Sequence, residues 1–158
     1  MNVRHLAPPL LAWLLGMGLA SSAAAQNIDV AVVINPNNPM AGTTAVELRK
    51  IFAGEKRSWQ GGLRIKLIVR QPGCHERLVL LKLLGMSERE YKQYWAAQIF
   101  RGEADSEPFA APSVGMQKEA ITTFPGAITL VNEQDIKPGM KVIKVDGRLP
   151  GVAGYPLH

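Results

Sequence analysis

The run Val69-Arg70-Gln71-Pro72-Gly73-Cys74-His75-Glu76-Arg77 holds the residue types most able to do chemistry in this chain. It reads as a strand end, a glycine-bearing turn and a helix start. The first amides of a helix have no intrahelical acceptor and point outward along the positive end of the macrodipole, so such a turn favours an anion. Arg70 would add a guanidinium able to grip an oxyanion through two parallel N–H bonds. Arg70, Gly73, Cys74 and His75 are therefore the candidate ligand-binding residues, and the ligand they suit is a small anion. Asn35 and Asn37 follow a strand and are placed on the same edge as further candidates, although Asx turns that stabilise the loop suit them better.

Other chemistries are poorly supported. Cys74 and His75 are neighbours, but adjacent side chains at a helix start point in different directions, so no nucleophile–base pair follows and no catalytic residue is assigned. Of the 3 histidines, His5 lies in the leader and His75 and His158 have no metal-ligand spacing. Glu103, Asp105 and Glu107 alternate in a polar stretch that lacks the spaced ligands and central glycine of a calcium loop. No cofactor motif is present. Tyr91, Tyr94 and Trp95 recur at helical spacing, which suits packing better than a ligand platform.

The elements that must hold these residues are legible in the pattern. Ile28–Ile34 is a near-continuous apolar, β-branched run, as in a strand covered on both faces. Thr44 and Glu47 have capping-box spacing before a helix over 44–53 that ends at Gly54. Leu63–Arg70 reads as a second strand, His75–Leu84 as a helix stopped by Gly85, and Ser87 with Glu90 as a second capping box. Gly102–Ser113 reads as a loop, Val114–Phe124 as a short helix, and Ala127–Val131 and Met140–Val145 as strands. Strands alternating with helices predict an α/β layered domain with a mixed or mostly parallel sheet.

The chain's first 25 residues carry Arg4, an apolar stretch from Leu10 to Leu19 and Ala23-Ala24-Ala25, the order of a secretory leader cleaved before Gln26. Export to the periplasm or beyond is expected, with 26–158 as one domain. Such a length buries enough surface to hold together by packing alone. It must do so, because Cys74 is the only cysteine and no internal disulfide can form. The net charge of +5 is mild, its Lys and Arg are dispersed, and they do not interleave with aromatics, so nucleic-acid binding is excluded.

Several of these segments together resemble the phosphate-binding periplasmic protein family of ABC transporters. Leu48-Arg49-Lys50-Ile51-Phe52-Ala53-Gly54 with Trp59, then Ile65 to Arg77, then Phe124-Pro125-Gly126-Ala127-Ile128, then Val145-Asp146-Gly147, Pro150 and Tyr155-Pro156-Leu157 match family segments in order. The resemblance implies a type II binding-protein-like lobe with a mixed sheet flanked by helices. It also implies phosphate as the ligand and a transporter permease or a periplasmic sensor as partner. The departures fall on the ligand turn. Where the family offers an aspartate, a serine and a threonine, this chain has Pro72, Cys74 and Glu76, and Thr129-Leu130 replace a Gly-Tyr pair. Only Arg70 and the backbone around Gly73 persist, and Glu76 sets a negative charge where an anion would sit. The chain is also much shorter than the bilobed members, whose ligand lies between lobes. The expectation is a binding-protein-like domain with at most a degenerate oxyanion site; the alternative is an interaction module docking on a membrane or periplasmic partner.

Overall fold

The computed structural model describes residues 27–158, so the predicted leader lies outside the described residues. Among the described residues no helix is long and apolar enough to cross a membrane.

The first strand, β1 (Val30–Ile34), is buried at all five positions. The reason is its place inside the sheet. Six strands run in the order β2-β6-β1-β5-β3-β4, where β2 is Gly42–Thr43, β3 Lys66–Arg70, β4 Phe109–Ala111, β5 Ala127–Asn132 and β6 Lys141–Val145. β1 is antiparallel to both β5 and β6, whereas β3 runs parallel to β4 and β5. The sheet is thus mixed.

Alternation along β1 feeds two cores. Val30, Val32 and Ile34 join the larger one, with Leu48, Ile51 and Phe52 of α1 (Ala45–Phe52), Leu80 and Leu84 of α2 (His75–Leu84), and Tyr91 and Trp95 of α3 (Glu88–Phe100). Ala31 and Val33 face the other way, onto Ala120 and Ile121 of α4 (Val114–Thr123). Three helices cover one face and one covers the other. Each aliphatic side chain buried in this way contributes about 1.5–3 kcal/mol, which is how the fold dispenses with cross-links. Beneath α4, fully buried Gln117 donates to Thr129 Oγ1 at 2.8 Å and to the Leu130 carbonyl at 2.7 Å. Thr129 therefore anchors α4 to the sheet.

The helix boundaries follow the expected signals. Gly85 closes α2 in the left-handed region at φ 68°. Ser87 and Glu90 form a complete capping box. Thr44 accepts from the Glu47 amide at 3.1 Å, but the Glu47 carboxylate turns to Lys56, so only half of the first box forms. Two expectations need correction, and one short strand was not expected at all. The strand predicted from Leu63 begins at Lys66, because residues 58–64 fold into a turn bridged at Ser58 and Arg64. The predicted loop contains β4, a three-residue strand with no alternation to betray it. β2 is shorter still and exists only through its pairing with β6.

The start of β1 and the segment Tyr155–Leu157 are neighbours. The Val30 amide donates to the Leu157 carbonyl at 2.9 Å, and the Tyr155 hydroxyl donates to the Val30 carbonyl at 2.8 Å.

Candidate functional site

Arg70 ends β3, and the chain then turns through Gly73, whose φ of +92° suits a residue without a Cβ. Nothing lies within contact of a Cβ built there, so the glycine answers to backbone conformation alone. Cys74 is the N-cap of α2 with extended backbone, yet its side chain caps no amide. The other helices are capped by Thr44, Ser87 and Ser113 through their hydroxyls. The thiol is a weak acceptor, so the α2 amino end keeps the outward amides that an anion could use.

The charge around this end is already satisfied from within. Arg70 Nη1 donates to the Ala111 carbonyl at 3.0 Å, and its Nε stands 3.6 Å from Glu76 Oε1. Glu76 is only 3 % exposed and Arg70 12 %. The carboxylate expected to oppose an anion has thus not swung into solvent; it lies buried beside the guanidinium as an internal counter-anion. The next residue, Arg77, is held by Glu88 through two bonds of 3.0 and 2.7 Å and stacks over the Tyr91 ring at 4.0 Å. Burial works to lower the Arg77 pKa, but the Glu88 bonds and charge outweigh it and leave it raised. The bond from Arg77 holds the Glu88 carboxyl below its ordinary range. Burial pushes the Tyr91 phenol up to about 12.

His75 Nε2 lies 3.0 Å from the Ile28 carbonyl. A carbonyl only accepts, so Nε2 carries the proton and His75 ties α2 to the segment entering β1. Cys74 is a half-buried free thiol.

Arg70, Gly73, Cys74 and His75 lie along one turn, with Arg70 directed to Ala111 and Glu76 and His75 to Ile28, and Asn35 and Asn37 are not with them. Lys66 pairs with Ala127 and Ile34 with Ile128, so the carboxyl end of β1 lies beside the amino end of β3. Asn35 therefore sits at the end of the sheet opposite Arg70, a correction to the shared edge inferred from sequence. The antiparallel course of β1 relative to β3 reverses the expectation. Asn35 is buried and donates to the carbonyls of Ile121 at 2.8 Å and Phe124 at 3.2 Å, closing the carboxyl end of α4. Its Oδ1 accepts from the Asn37 amide at 2.9 Å, the Asx turn that its residue type favours.

Sequence reasoning missed Glu88. It lies beyond the Gly85 helix break, and no periodicity links it to Arg77.

These features define an α/β lobe built on a mixed six-stranded sheet, with a helix amino end at the carboxyl edge of a parallel strand pair. In fold the chain is similar to an ABC-type phosphate transport receptor from Vibrio cholerae, at 19 % identity and a TM-score of 0.63, over 78 % of this chain and 48 % of that one. It is likewise similar to PstS from Borrelia burgdorferi, at 17 % identity and a TM-score of 0.58, over 78 % of this chain and 49 % of that one. The chain thus spans about half the length of the solved structures it matches. No family model and no curated protein matches it.

Proposed function

We propose that this chain is an exported, solute-binding-type lobe whose oxyanion site is degenerate, working in the periplasm beside a transporter permease or sensor. The likeness of the fold to phosphate-transport receptors supports the class. The observation that carries the degeneracy is the buried Glu76 carboxylate, 3.6 Å from Arg70 Nε. An incoming phosphate must displace or share the guanidinium with an anion already held on the protein, and no hydroxyl from Pro72, Cys74 or Glu76 compensates. The uncapped amides of α2 remain as donors, together with the helix dipole. Net binding of about 4 kcal/mol, in the millimolar range, is the expected outcome.

Calorimetric titration with phosphate and sulfate tests the reading. The unmodified chain should bind near millimolar and Arg70→Ala should bind no anion. Glu76→Thr, which frees the guanidinium and restores a hydroxyl, should tighten phosphate about tenfold, a gain of roughly 1.4 kcal/mol. Submicromolar phosphate binding by the unmodified chain would overturn the degeneracy, and weak binding indifferent to Arg70→Ala would remove the site from this turn.

A further inference from the structure

The opposite end of the sheet carries an open groove of about 660 Å³ that the oxyanion reading does not use. Its construction accounts for the two sequence motifs that left no mark on the Arg70 turn. Gly126 lies so close to the turn at 58–64 that a Cβ there would sit 1.8 Å from the Arg64 carbonyl oxygen. Trp59 Nε1 donates to the Gly126 carbonyl at 3.0 Å, and the Lys66 amide donates to the same oxygen at 2.9 Å. Gly54 stands at φ +72° with a would-be Cβ 2.9 Å from the Trp95 ring. The Pro-Gly-Ala motif thus clamps the turn onto the sheet, and Gly54 of the Ile-Phe-Ala-Gly motif packs against Trp95 at the edge of the same depression.

The lining has the character of a ligand site. Leu63, Phe109 and Phe124 all line it, and each is more than a third exposed, an unusual density of uncovered apolar surface in one place. Cations edge the same floor. The Ile65 amide donates to the Arg57 carbonyl at 2.8 Å, which sets Arg57 next to the strand carrying Lys66. The Lys66 ammonium lies 3.6 Å over the Phe124 ring. Among the described residues neither Arg57 nor Lys66 pairs with a carboxylate, while the acidic residues across the mouth are engaged at Asp105 by Arg64 and at Glu103 by Arg101. Glu107 is the one acidic lining residue with no cationic partner among the described residues.

We propose that this groove is a second binding site, taking a small aromatic acid: a flat apolar body against Phe109 and Phe124 and one anionic head at Lys66 and Arg57. A volume of this size suits a one- or two-ring ligand. The negative head is selected because the four cations of the lining, Lys56, Arg57, Arg64 and Lys66, outnumber its three carboxylates, Glu103, Asp105 and Glu107, and the body because a bare anion would leave the apolar floor uncovered. The proposal stands apart from the oxyanion reading, since its residues and its end of the sheet are different.

Amide-resolved NMR titration of the full chain with 2-naphthalenesulfonate tests it. The signals of Gly54, Lys66 and Gly126 should shift and saturate with a Kd below about 1 mM. Neutral 2-naphthol and inorganic sulfate should each bind at least about fivefold more weakly, since each lacks one of the two recognised features. The double variant Arg57→Gln with Lys66→Gln, both exposed and outside the cores, should weaken the sulfonate at least about fivefold, while Arg70→Ala should leave it unchanged. Equal binding of 2-naphthol would reduce the groove to an apolar patch and overturn the proposal. So would shifts centred on Gly73 to Arg77, or no saturation.

Discussion

The two ends of the sheet treat positive charge in opposite ways. At the end where β3 runs into α2, Arg77 is buried and Arg70 largely so, and each is met by a carboxylate, Glu88 and Glu76, drawn from the amino end of α3 and from α2. At the other end Arg57 and Lys66 stand exposed at an open groove, and among the described residues neither forms an ion pair with the carboxylates that share its lining. The first pattern is what buried cations require, because a guanidinium removed from water without a counter-charge costs several kcal/mol. The second persists because exposed cations need no partner. Cations are thus countered within the protein at one end and left facing solvent at the other.

Breaking the groove end should produce the largest effect. Gly126→Ala drives a methyl group into the Arg64 backbone, where no side chain can yield, and should cost at least about 4 kcal/mol or prevent folding. Urea unfolding followed by tryptophan fluorescence measures it, and a loss under 1 kcal/mol would mean that the 58–64 turn is not clamped there.

Breaking the closed end should cost less. Glu88→Ala strands Arg77, only 5 % exposed, and should destabilise by about 3 kcal/mol at neutral pH. Because the folded Glu88 pKa is depressed below 4.5, its contribution is present above that value and is lost as pH falls through the folded one. The gap between parent and variant, measured by thermal unfolding across pH, should therefore narrow below about pH 4.5. A gap that stays constant with pH would show that packing, not charge, is what Glu88 supplies.

The smallest expected change sharpens the contrast. Cys74→Ser gives α2 the hydroxyl cap its fellow helices have, and should stabilise the chain by about 0.5–1 kcal/mol. The same denaturant experiment reads it. Destabilisation would show that the thiol is needed for packing.

What could be read from the sequence divides along physical lines. Val30–Ile34 announced itself because burial on both faces demands an unbroken apolar run. The Ser87 and Glu90 cap was legible because both partners lie within one helical turn. β2 and β4 were not, since two- and three-residue strands are held by partners distant in the chain and leave no period behind. Glu76 was legible as a charge in the wrong place, but its answer, burial against Arg70, depends on side-chain geometry that spacing does not carry. Asn35 was misplaced for a topological reason: which edge a post-strand loop reaches depends on strand direction, and nothing local to Asn35 encodes that β1 runs against β3.

The neighbouring segments at Val30 and Leu157 carry a practical consequence. With β1 and Leu157 one hydrogen bond apart, residues 27–158 are expected to keep their fold when spliced into a surface loop of a host protein. Chain closure would then add little entropic cost, because the splice points are already together. Any ligand response of the unit would reach the host as a change at a single point of attachment.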